Sequence, residues 1–112
     1  LEVMIRSVSG FKARGKIAAS FFKRLKGLMF TPGLPEGSVI LISPCASVHT
    51  CFMRFAIDVV YLDGNGTVLK KETMRPWRLG GFVKGAKSVM EMGENESGQL
   101  KVGERLYIVK TV

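Results

Sequence analysis

Histidine occurs once in this 112-residue sequence, at position 49, and cysteine only twice, at 45 and 51. A closed structural zinc site takes four thiolate or imidazole ligands, and these three, without a Cys-x-x-Cys pair, do not supply one. Long apolar runs are also missing. The longest aliphatic stretch, Val39-Ile40-Leu41-Ile42, falls far short of the ~20 residues a membrane-spanning helix needs. The N-terminus lacks a basic region followed by an apolar one, so a cytoplasmic location is expected. Leu1 is not a start methionine, which leaves a removed leader open. Acidic residues are scarce: 9 Asp and Glu stand against 17 Lys and Arg, for a net charge of +8. That balance predicts a basic surface and long-range attraction to polyanions.

What is present fits one small domain, residues 1–112. With 46% hydrophobic residues, such a chain is globular and should bury roughly 65% of its unfolded surface. Residues 1–8 read as an opening strand, with Ser9-Gly10 as a turn. Lys12, Arg14 and Lys16 alternate with Ala13 and Ile17, which in a strand puts the cations on one face. A helix is predicted from Ser20, where Phe21, Leu25, Leu28 and Met29 recur at helical spacing until Thr31-Pro32-Gly33 ends it. The run at 39–42 is too short for a helix and reads as a buried strand.

Asp63-Gly64-Asn65-Gly66 is the sharpest local signal, a tight turn joining antiparallel strands at 57–62 and 67–73. The first of these arms is apolar on both faces, as a central strand covered on both sides would be. Residues 75–85 read as a loop, 89–92 as a short strand and 106–109 as a closing strand. The predicted fold is α+β but mainly β, a compact barrel-like antiparallel sheet with one amphipathic helix.

Gly27-Leu28-Met29, Cys45, Val48-His49-Thr50, Met53, Ile57-Asp58-Val59, Leu62-Asp63, Gly66, Pro76-Trp77, Gly85-Ala86, Glu91 and Gly103 occur in an order that resembles the family called domain of unknown function 192. The resemblance runs from about Ala18 to the C-terminus. It implies a small β-rich domain and no particular reaction. Ala56 stands where proline is common in that family, and Glu104 where aspartate often follows glycine.

The chemistry concentrates between residues 45 and 58. If this stretch is extended, Cys45, Ser47, His49 and Cys51 share one face. A thiol mechanism would use Cys45 as nucleophile, His49 as base and Asp58 to orient the imidazole. In a strand, however, Cys45 and His49 lie about 13 Å apart, so the dyad needs a bend. The same argument puts Cys45 and Cys51 roughly 20 Å apart, too far for a disulfide. An open metal site with Asp58 is a further reading, weighed against the commoner role of a lone histidine as a hydrogen-bonded structural residue. Asp58, in an apolar strand, needs a partner, for which Arg54, His49 and backbone amides of the following turn are candidates. Glu91 poses the same question. Trp77 is expected to cover one end of the sheet or to form the rim of a pocket, the first being favoured because a lone tryptophan usually buries most of its area.

Together these residues predict a noncatalytic binding or accessory protein without a cofactor. Cys45, His49, Thr50, Met53, Arg54, Asp58 and Trp77 would form a site for a small molecule or a protein partner. An enzyme using Cys45, His49 and Asp58 is the alternative, and nucleic-acid binding through the basic strand and helix a third.

Overall fold

A computed structural model describes residues 2–18, 34–51 and 53–111. These form seven strands: β1 (Glu2–Ser7), β2 (Lys12–Ala18), β3 (Ser38–Ile42), β4 (Ile57–Leu62), β5 (Val68–Met74), β6 (Ser88–Gly93) and β7 (Leu106–Thr111). They make one sheet in the order β5-β4-β6-β3-β2-β1-β7. The described residues are thus all-β and contain no helix, which corrects the α+β expectation. That class rested on one segment, and the helix predicted from Ser20 lies outside the described residues. The sheet is also not wholly antiparallel, because β2 and β3 run parallel. Alternation of apolar and polar residues sets which face a residue takes but carries no information on strand direction. No helix among the described residues is long and apolar enough to cross a membrane.

The sheet curls until its two edge strands meet at one end. Thr67 bridges Arg105, the Val68 amide donates to the Glu104 carbonyl at 2.8 Å, and the Gly103 amide donates back to Val68 at 2.8 Å. The tight turn predicted at 63–66 makes this closure. Asp63 Oδ1 accepts from the amides of Asn65 at 2.8 Å and Thr67 at 2.9 Å, and Gly66 takes a left-handed φ of 84°. The Leu106 amide then donates to the Gly66 carbonyl at 2.8 Å.

Two apolar cores result, one on each side of the same strands. Val60 and Leu62 of β4 point into the barrel with Val3, Ile5, Leu41 and Met90. Ile57, Val59 and Tyr61 point outward and pack with Val89, Met53 and Met74, and with Cys45, Ala46 and Val48 from the loop after β3. All six residues of β4 are buried. This is the central strand with both faces covered that its apolar run predicts.

Gly66 is the position where closure tolerates least. A Cβ there would sit 2.6 Å from the Leu106 carbonyl oxygen, on a backbone angle that L-residues avoid. Gly66→Ala is expected to cost about 2 kcal/mol or more, roughly 10 °C in Tm. Gly64→Ala, whose Cβ would meet nothing nearer than Lys87 Cγ at 3.8 Å, is expected to stay within about 0.5 kcal/mol of the parent. Thermal denaturation of the two variants separates them.

Candidate functional site

Residues 45–51 do not form the strand that would align two thiols, a hydroxyl and an imidazole. Their backbone pairs instead with the loop after β5. The Thr50 amide donates to the Arg78 carbonyl and the Trp77 amide to the Thr50 carbonyl, both at 2.8 Å. The Gly80 amide reaches Val48 at 2.8 Å and the Val83 amide reaches Ala46 at 3.0 Å. His49 and Leu79 face each other as an isolated antiparallel bridge. Two irregular loops are thereby zipped into a ribbon lying on the outer core.

Thr50 is the clasp of this ribbon and is fully buried. Its hydroxyl donates to the Arg75 carbonyl at 2.6 Å and accepts from the Arg78 amide at 2.7 Å. Its own carbonyl also accepts from the Met53 amide at 3.2 Å. The Thr50 hydroxyl thus pairs with the backbone of the loop after β5, while the Thr50 carbonyl and amide bond to both loops. Beneath it the ribbon sits close to Tyr61: a Cβ at Gly80 would lie 2.9 Å from the Val48 carbonyl and 3.2 Å from the Tyr61 hydroxyl. Tyr61 is fully buried, and its hydroxyl donates to Glu72 at 3.1 Å. Burial, reinforced by the negative charge of Glu72, raises its pKa far above the ordinary tyrosine value, so it serves as a permanent donor.

The seven residues singled out in the sequence separate into three groups. Thr50, Met53 and Asp58 are buried, Cys45 and His49 half-buried, and Arg54 and Trp77 exposed. Trp77 is 58% exposed, which corrects the expectation that it covers one end of the sheet. Its φ of 62° is in the left-handed region, unusual for a bulky residue. Leu79 and Phe82, in the loop predicted at 75–85 but outside the candidate site residues, are 81% and 77% exposed. Their signal was two large apolar side chains in a Gly- and Arg-containing loop without strand or helix periodicity.

The thiol, imidazole and carboxylate do not converge. Cys45 Sγ donates to the Ser47 carbonyl at 2.9 Å and packs against the outer core. His49 Nδ1 accepts from the Cys51 amide at 3.2 Å. Asp58 shares the inward parity of Val60 and Leu62, so it leaves β4 on the opposite side from Cys45. Among the described residues no three His, Cys, Asp or Glu side chains are grouped to hold a metal ion.

Asp58 ties the barrel end together. Its Oδ1 accepts from the Thr73 hydroxyl at 2.8 Å and the Asn95 amide at 3.0 Å. Its Oδ2 accepts from the Ser97 amide at 3.0 Å and from the Ser97 hydroxyl. Lys71 closes the network by donating to the Ser97 carbonyl at 2.9 Å. The partners are thus the next strand and the turn after β6, in place of Arg54, His49 or the 63–66 turn. Glu91, buried on β6, faces the other way, toward Tyr61 and Cys45.

Burial pushes the Asp58 carboxyl up in pKa, but its hydrogen bonds, led by the Ser97 hydroxyl, outweigh this and hold it below its ordinary 3.8. Because the folded-state value lies below the unfolded one, this stabilisation is complete above the unfolded value and is lost as pH falls through the folded one. Asp58→Asn, which strands donors at Ser97, is expected to cost about 2–3 kcal/mol at neutral pH. It should also flatten the acid limb of stability against pH. Urea denaturation across a pH series checks this, and parallel curves for parent and variant would contradict it.

The model of DUF192, described as an uncharacterized ACR, matches residues 4–108, extending the sequence resemblance back through β1 and β2. A UPF0127 protein of Thermococcus sibiricus is 41% identical over 83 residues, 70% of this chain and 53% of that protein. The chain therefore spans about half the length of that relative. A UPF0127 protein of Pyrococcus abyssi is 35% identical over 115 aligned positions, covering 95% of this chain and 97% of the relative. Among solved structures, a protein of unknown function from Novosphingobium aromaticivorans superposes with a TM-score of 0.81 at 19% identity, over 96% of this chain and 84% of that one. That likeness extends to the fold alone. By the reach of the family match and the identity to its archaeal relatives, this chain belongs to the DUF192 family.

Proposed function

We propose that this protein is a noncatalytic binding module whose recognition element is the ribbon of residues 45–51 and 75–83, and that its partner is an acidic surface of another protein. The observation that carries this reading is the exposure of Trp77, Leu79 and Phe82 on a segment whose backbone is zipped to its neighbour. Because the backbone beneath these three side chains is already paired, covering them costs little further backbone ordering, which favours association. Aromatic and arginine side chains are the usual anchors of protein interfaces. Arg54, Arg75, Arg78 and Lys84 are all exposed on the same loops, and this cationic rim selects an acidic partner. In this reading His49 and Cys45 position the ribbon and carry no chemistry.

The test places a photocrosslinking residue at Gly81, where a Cβ meets nothing within 4 Å, in the native cell. The captured protein is then purified and titrated. It is expected to bind the parent saturably and the Trp77→Ala, Phe82→Ala double variant at least about ten-fold more weakly, with Tm unchanged. Equal binding to both, the absence of a crosslink, or a crosslink only to a second copy of this chain would each overturn the proposal.

A further inference from the structure

The outward face of β2, β1 and β7, on strands separate from the ribbon, has a different character. Lys12, Arg14 and Lys16 of β2 are exposed, while Ala13 and Ala18 turn inward. The registers place Arg6 of β1 between Lys12 and Tyr107, and Met4 between Arg14 and Val109. Arg105, immediately before β7, lies over the Tyr107 ring at 5.2 Å and is held by a 3.0 Å bond from its Nε to the Asn65 carbonyl. Glu2, opposite Lys16, is the one carboxylate on these three strands.

Two properties of this face point beyond folding. Arg6 and Lys12 are direct cross-strand partners, and like charges in that position destabilise a sheet. The cations also repeat every second residue, about 6.7 Å apart along the strand, beside apolar side chains that are about half exposed: Met4 at 46%, Tyr107 at 46% and Val109 at 52%. A polymer with regularly spaced negative charges relieves the repulsion, and one with exposed aromatic faces also covers the apolar positions. Single-stranded nucleic acid has both features, whereas a duplex keeps its bases stacked inside and offers such a face mainly phosphates.

We infer that the outward face of β2, β1 and β7 binds single-stranded nucleic acid, its cations on the phosphates and Tyr107 stacked on a base. Fluorescence anisotropy of the full chain with short labelled single-stranded RNA and DNA tests this. Saturable binding is expected at about 50 mM salt, weakening by about 0.7 in log K per log salt for each phosphate contacted. Lys12→Glu creates an opposite-charge pair with Arg6, so Tm should hold or rise while affinity falls at least about ten-fold. Tyr107→Ala is expected to weaken binding by about ten-fold and Tyr107→Phe to preserve it. Lys87→Glu, exposed before β6 and outside this face, should leave binding unchanged.

The inference is overturned by the absence of saturable binding at low salt. It is equally overturned if Lys12→Glu or Tyr107→Ala leaves affinity intact. Binding as tight to a duplex of the same length, or to vesicles containing phosphatidylserine, would mark the face as a general anion surface and also overturn it.

Discussion

β4 has no solvent side. With every residue from Ile57 to Leu62 buried, the chain must cover both faces of one strand, and this requirement organises the rest. On the inner side the sheet covers it by curling, which brings the β5 and β7 edges together at Gly66. On the outer side no second sheet is available among the described residues, and the loops after β3 and β5 supply the cover through Cys45, Ala46, Val48 and Val83. Burying irregular backbone is costly unless its amides and carbonyls are paired. The two loops meet that demand by bonding to each other, with Thr50 at the centre.

This arrangement separates groups that a residue list places together. Cys45, His49 and Asp58 lie within fourteen positions of sequence, yet β4 stands between the Cys45 thiol and the Asp58 carboxylate. The carboxylate is consumed by Thr73, Asn95 and Ser97, and its low pKa follows from those bonds. The same covering requirement leaves Trp77, Leu79 and Phe82 outside, because the ribbon meets the core through its other side chains. Cover for the outer core and an exposed apolar patch thus arise from one segment.

Much of the strand framework was legible in local chemistry. The hairpin at 63–66, the doubly buried β4 and the alternating cations of β2 follow from turn residues and period-two patterning, which depend on neighbours in sequence. The parallel pairing of β2 with β3 and the closure of β5 on β7 were not, since both depend on contacts between segments far apart in the chain. Asp58 shows the same limit. Its need for a partner was evident from an apolar strand, but Ser97 lies 39 residues away, and nothing local names it. Trp77 failed for the opposite reason. Its apolar area suggested burial, whereas it lies 58% exposed at a left-handed φ of 62°, with its amide bonded to the Thr50 carbonyl.

The ribbon is a fixed part of the fold, its two loops bonded to each other along their length. Native-state amide hydrogen exchange reads it most directly, because protection reports the free energy needed to open each bond. The amides of Thr50, Trp77, Arg78, Gly80 and Val83 should be protected to within about ten-fold of those in β4. Exchange of these five amides at the rate of an unstructured loop, with β4 still protected, would contradict the account.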